Sequence, residues 1–279
     1  MKRMLRWLPI FLALVLAASA GYYQRRTGPT HPIRGRLDVA GDPVRFRLPR
    51  SGTTGEDLEI EVPAARDRAV LRYRRYPTGD DWTEVRLAGR DGVLKGTLPS
   101  QPPAGKLEYR IVFEGGDLKL PADDPVVVRF KGAVPAWLLI PHIAAMFLSL
   151  VIGFRATFAA LAGSPRLLRY TTWTAALLTG GGMFLGPCVQ KYAFGAFWTG
   201  WPNGKDLTDN KMLLLWIVWI AALAVVRFAR SGRAGRIAVV AATVVMIGVY
   251  LIPHSLRGSQ LNYERLEDGV SVEEAIETG

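Results

Sequence analysis

Residues 134–155, VPAWLLIPHIAAMFLSLVIGFR, decide how this chain is to be read. No Lys, Arg, Asp or Glu interrupts the stretch until Arg155, and the apolar character continues to Ala162. A bilayer core about 30 Å thick needs about 20 apolar helical residues at about 1.5 Å each. The stretch, taken as 134–153, therefore reads as a transmembrane helix.

Working outward, it has companions. An apolar run at 7–20 precedes it, and runs at 170–186, 212–226 and 237–252 follow. Some fall short of a full span and need their flanks to complete it. Four such runs in close succession after residue 130 argue against a buried helix of a soluble core. The expected architecture is an α-helical bundle of about five spans, with the membrane domain covering 134–256.

The charges set the orientation. The chain of 279 residues has a formal charge of +11, and much of the excess lies beside the apolar runs. Lys2, Arg3 and Arg6 open the chain. Arg155, Arg166 and Arg169 join the second and third runs, and Arg227, Arg230, Arg233 and Arg236 join the fourth and fifth, with no acidic residue in either link. All three clusters fall on one side of a five-span chain, which the positive-inside rule makes cytoplasmic. The expected location is the inner membrane, with a cytoplasmic N-terminus and residues 24–133, loop 187–211 and the acidic tail 257–279 exoplasmic. Residues 1–23 read as a signal anchor or, given Ala18-Ser19-Ala20, as a cleaved signal peptide. Without aromatics interleaved in a soluble basic face, nucleic acid is excluded as a partner.

Residues 30–131 follow another pattern. Short runs such as LEIEV, AVLRYRRY, KLEYRIVF and PVVVRF alternate with turn signals at Pro77-Thr78-Gly79-Asp80 and Gly115-Gly116. Leu107, Tyr109, Ile111 and Phe113 alternate with Glu108 and Arg110, the period of a half-buried strand. Seven to nine strands of this kind point to an exported immunoglobulin-like or fibronectin-type β-sandwich. The lone Cys188 rules out an intrachain disulfide, so packing alone must hold the domain.

The exoplasmic loop is unusual. Gly180, Gly181, Gly182 and Gly186 strip side chains from the outer half of the third run, which permits close approach of a helix or a flat cofactor. Trp198 and Trp201, with Phe194 and Phe197, suit an interfacial belt. Asp206, Thr208, Asp209 and Asn210 precede the fourth run, where a carboxylate caps exposed helix N–H groups. Lys191, Trp198, Trp201, Asp206, Asp209, Asn210 and, in the tail, Tyr263 are the candidate ligand or partner residues.

Two of the three histidines stand in a repeated tetrapeptide, Leu139-Ile140-Pro141-His142 and Leu251-Ile252-Pro253-His254. The two copies run in opposite directions across the bundle. His142 lies about 12 Å in from residue 134, and His254 about 26 Å up from residue 237, so both fall in the outer third. Paired imidazoles at that depth are candidates for a b-type haem or a transition metal, with Cys188 and Asp209 as further metal ligands. No Walker loop, Rossmann glycine pattern, HExxH motif or nucleophile elbow is present. The sequence thus favours an accessory or structural membrane subunit that contacts the lipid bilayer and another membrane or exported protein. A haem- or metal-binding electron carrier is the alternative.

Overall fold

Four helices are long and apolar enough to cross a membrane: Trp7–Thr27 within α1 (Lys2–Thr27), α2 (Ala136–Leu161), α5 (Leu207–Phe228) and α6 (Gly232–Leu251). In this computed structural model the described residues are 2–39, 41–90, 92–253 and 258–277. A fifth helical track joins α2 to α5. It runs through α3 (Leu167–Leu177), a π-helical stretch (Leu178–Leu185) and α4 (Gly186–Phe194), with Leu178 and Gly186 keeping right-handed helical dihedrals at the joints. The track therefore outlasts the expected 170–186 segment at both ends.

The helices pack around Trp219 of α5, which is fully buried with Leu150, Phe154, Leu215, Val239 and Met246. Gly153 makes room for this centre. A Cβ there would lie 2.9 Å from Met246 Cε and 3.2 Å from Trp219 Cζ2. Helix α1 joins through Ala13 and Ala17, one turn apart and fully buried, while Phe11, Val15 and Leu16 stay exposed. Small residues at this spacing let helix backbones approach closely. Where α2 meets α6, the hydroxyls of Thr157 and Thr243 lie 2.6 Å apart; where α5 meets the π-helical stretch, Trp216 Nε1 donates to Thr179 Oγ1 at 2.9 Å.

The glycine run has a packing role. Gly181 sits against Ala145, whose Cβ is 2.5 Å from where a side chain would begin, and Gly182 faces the thioether of Met212. Wider i→i+5 turns and missing side chains together seat this fifth track between α2 and α5.

Between α1 and α2 the chain is rich in β-structure. Its strands are β1 (Ile33–Val39), β2 (Asp42–Leu48), β3 (Ser51–Thr53), β4 (Leu58–Pro63), β5 (Ala69–Arg75), β6 (Thr83–Arg86), β7 (Ala88–Arg90), β8 (Val93–Leu98), β9 (Lys106–Phe113), β10 (Lys119–Leu120) and β11 (Val126–Lys131). One sheet has the order β3-β11-β9-β5-β6, with β10 on β9; another has β4-β8-β7; β1 and β2 form a hairpin. Pairing is antiparallel except between β11 and β3.

Both sheets and the hairpin feed one apolar core. Leu37, Leu48, Ile60, Val62, Leu94 and Leu98 meet Leu71, Leu107, Tyr109, Ile111, Phe113, Val126, Val128 and Phe130. The expected alternation in β9 is present, with Leu107, Tyr109, Ile111 and Phe113 all inside. Tyr109 donates its hydroxyl to the Pro49 carbonyl at 2.8 Å, and burial pushes that phenol above its ordinary range. Glu108 is also buried, which alternation alone does not foresee. It pairs with Arg74, opposite it on β5, and Arg74 in turn stacks on Trp82.

The tail is folded. β12 (Gln260–Leu261) pairs with β13 (Ile276–Glu277), with α7 (Tyr263–Glu267) between them. Leu261, Tyr263, Ala275 and Ile276 share a small core with Ala104 of the β-rich domain and Phe194 at the end of α4.

Candidate functional site at the junction of domain, helices and tail

Three parts of the chain converge where the helices meet the β-rich domain. Strand β11 runs into α2 through Gly132, whose N–H donates to the Ala193 carbonyl at 2.9 Å. A Cβ at Gly132 would overlap the Tyr192 carbonyl oxygen, so this close passage of backbone on backbone requires glycine. Helix α4 ends at Gly195, whose φ of 84° is a left-handed cap. The loop that follows returns to Asp206, the N-cap of α5.

Asp206 performs the expected capping. Its Oδ1 accepts from the N–H groups of Thr208 at 2.7 Å and Asp209 at 3.2 Å. Its Oδ2 also accepts from Ser259 N at 3.2 Å, tying α5 to the tail. Asp209 organises the loop. Its Oδ2 accepts from Thr199 N at 2.7 Å, Gly200 N at 3.1 Å, Gln190 Nε2 at 3.0 Å and Thr199 Oγ1 at 3.3 Å. Asn210 continues the pattern by accepting from Trp201 N at 2.7 Å. Lys211 donates to the carbonyls of Ile252 and Pro253, both at 3.1 Å, satisfying acceptors that the end of α6 leaves open. Asp206, Asp209 and Lys211 are each about 5–6% exposed, so this is an interior polar network rather than a solvated rim.

The tail closes the network from above. Arg129 of β11 donates to the Ser259 carbonyl at 3.1 Å and stacks on Phe194. Burial lowers its affinity for the proton, against the opposing pull of Asp206. Lys106 Nζ donates to Gln260 Oε1 at 2.7 Å; burial, with the Arg129 charge beside it, holds this amine down to about 8. The Tyr263 hydroxyl accepts from Lys106 N at 3.0 Å and lies 2.9 Å from the Lys106 carbonyl and 3.0 Å from Gln101 Oε1. Burial raises that phenol to about 12. Glu267 and Asp80 both pair with Arg75, which covers the Tyr263 ring, and Lys191 pairs with Glu273 at 2.8 Å.

The structure thus gathers Lys191, Asp206, Asp209, Asn210 and Tyr263 about one junction. Trp201 lies at its rim, 69% exposed, with its carbonyl accepting from Trp198 Nε1 at 3.0 Å. Arg129, Lys106, Gln190, Thr199 and Ser259 belong to the same network and were not singled out in the sequence. A Ser-Gln pair after the last apolar run, followed by apolar residues at Leu261, Tyr263, Leu266 and Val270, was the available sign that the tail packs.

The histidines have different standing. His142 Nδ1 lies 2.8 Å from the Gly181 carbonyl, which can only accept, so Nδ1 carries the proton and Nε2 the lone pair. The imidazole lies over the glycine stretch, its Cε1 3.7 Å from the place of a Gly186 Cβ. His254 lies outside the described residues. Cys188 is half-buried on α4, and among the described residues no group of three His, Cys, Asp or Glu side chains is placed to hold a metal ion. No family model matches the chain, and comparison with curated proteins and with solved structures likewise finds no match.

Proposed function

We propose that the chain is an integral inner-membrane protein that holds an exported immunoglobulin- or fibronectin-like domain rigidly above its helices for contact with another membrane or exported protein. The observation that carries this reading is the buried network from Asp206 and Asp209 through Ser259 and Arg129 to Lys106 and Tyr263. A domain that merely floated on a tether would need no such network. Rigid presentation lowers the ordering cost of binding, which is what an accessory subunit of a membrane assembly requires. Ala13 and Ala17 in the bundle core support an N-terminal helix that is retained rather than cleaved. Turns 162–166 and 229–231, with Arg166 and Arg230 in them and Arg169, Arg233 and Arg236 just inside the following helices, lie at the helix ends far from the domain, which supports a cytoplasmic placement of those ends and an exoplasmic domain and tail.

The test is photo-crosslinking in cells, with a photoreactive residue placed in turn at Trp201, Phe197 and Trp82. One discrete adduct from a contiguous subset of positions is expected. Absence of adducts at all three positions, in a chain shown to be exported, contradicts the reading.

A second reading, a b-type haem or metal ion shared by His142 and His254, is favoured by the Nδ1 bond to Gly181. Such a bond orients an imidazole so that Nε2 can ligate. Soret absorbance or bound metal in the purified native protein, lost in His142→Ala, is its required signature.

A further inference from the structure

The far ends of α2 and α6 enclose an open groove of about 480 Å³. Its α6 side is lined by Arg233, Arg236, Ile237, Val240 and Ala241, and its α2 side by Ala160 and Leu161. The α6 residues recur at intervals of three and four, so they form one stripe along the helix. The stripe is ordered by polarity. Both arginines stand at its mouth, and everything beyond is apolar for about 7.5 Å, the rise from residue 236 to residue 241. Arg236 reaches across this mouth, its Nη1 3.4 Å from the place of a Gly163 Cβ just past the end of α2.

Nothing on this face neutralises the charge. The helix ends and turns at this level carry Arg155, Arg166, Arg169, Arg227, Arg230, Arg233 and Arg236, and no Asp or Glu occurs from residue 125 to 205 or from residue 210 to 263. Asp206 and Asp209 lie at the opposite helix ends. Among the described residues neither Arg233 nor Arg236 makes an ion pair. Positive-inside topology requires arginines on this side, but it does not require them at the head of an apolar groove.

We propose that this groove binds an anionic phospholipid, with its phosphate at Arg233 and Arg236 and an acyl chain along Ile237, Val240 and Ala241. Guanidinium groups match phosphate oxygens in geometry as well as charge. The polarity order of the groove is that of the lipid itself, head at the mouth and chain toward the bilayer centre. The inference rests on the reading that α2 and α6 cross the bilayer with their arginine-rich ends in the anionic cytoplasmic leaflet.

The experiment is native mass spectrometry of the full chain in detergent, titrated with phosphatidylglycerol or phosphatidylcholine. One tightly retained phosphatidylglycerol is expected, with phosphatidylcholine bound far more weakly. Arg233→Gln with Arg236→Gln should weaken that binding about 30-fold, from the typical interaction of two basic residues with an anionic leaflet. Replacing both with Lys should lose much less. Ala241→Phe, which fills the groove without altering charge, should also lose the lipid.

Arg227→Gln with Arg230→Gln removes equal charge outside the groove. An equal loss in that control, equal retention of both lipids, or displacement by millimolar inorganic phosphate would each overturn the proposal. Membrane integration is scored separately by carbonate extraction and an export reporter fused after residue 279. A chain that fails those assays refutes the topology; one that passes them without retaining phosphatidylglycerol refutes the lipid site alone.

Discussion

Replacing Asp209 with Ala should open the loop between α4 and α5 while leaving the helices in place. One carboxylate oxygen there receives two backbone N–H groups, from Thr199 and Gly200, besides the Gln190 amide and the Thr199 hydroxyl. A hydrogen bond to a charged group contributes about 1.5–3 kcal/mol, and a buried N–H left unpaired costs a comparable amount. Losing the two backbone bonds lowers the free energy of local opening by about 3 kcal/mol even at the lower end. That is about a hundredfold in an opening equilibrium. The assay is hydrogen–deuterium exchange of the full-length protein in nanodiscs. Amides of Thr199 and Gly200 should exchange about a hundredfold faster in the variant, with those in the middle of α2 and α5 unchanged. Asp209→Asn, which keeps one acceptor oxygen, should fall between. Asp206→Ala should act differently: loss of an N-cap costs about 0.5–2 kcal/mol, felt at Thr208, Asp209 and Ser259. Exchange at Thr199 and Gly200 within threefold of the wild type in Asp209→Ala would refute the assignment of Asp209 as organiser of the loop.

Other outcomes follow from the same junction. Lys106 is held at about 8 in the folded chain against an ordinary 10.5, so between about pH 8 and pH 10 the unfolded chain binds more protons and stability rises with pH. Above about pH 10 the sign reverses, because the Tyr263 phenol, raised to about 12, keeps its proton in the folded chain after the unfolded one has released it. Thermal unfolding from pH 7 to 11 should show this rise and fall, and Lys106→Met should remove the rise. Gly132→Ala places a methyl on the Tyr192 carbonyl and should cost about 1–3 kcal/mol, read as a lower melting temperature and faster proteolysis between β11 and α2. Residues 30–131 expressed alone should give a β-rich circular dichroism spectrum without metal. Adding residues 258–277 in trans should raise its melting temperature if the tail contacts are as described, and no shift would count against them.

What the sequence made legible was local. A bilayer-length apolar run announces α2, and shorter apolar runs announce α5 and α6, without reference to anything distant; a carboxylate before an apolar run announces the Asp206 cap. Alternation in Leu107, Tyr109, Ile111 and Phe113 announces β9. The junction was only half legible because its partners are far apart in sequence. Tyr263 meets Lys106 across 157 positions and Arg129 meets Ser259 across 130. No periodicity spans such separations. Glu108 interrupts an otherwise regular strand for a similar reason, since its partner Arg74 lies on the neighbouring strand. The π-helical stretch was not legible: its glycines suggested close helix packing, with cofactor approach as the alternative, and Ala145 and Met212 now stand against Gly181 and Gly182.

The position of the tail contacts has a consequence for how the molecule is made. Ser259, Gln260 and Tyr263 leave the ribosome after α6, whereas their partners Arg129 and Lys106 emerge more than a hundred residues earlier. Lys106 and Arg129 must therefore wait uncovered until the chain beyond α6 has been made. On the proposed topology, a chain in which α6 fails to cross would leave its tail on the side of the bilayer away from the domain, with Lys106 and Arg129 uncovered. Docking of the tail would then mark a chain whose insertion is complete.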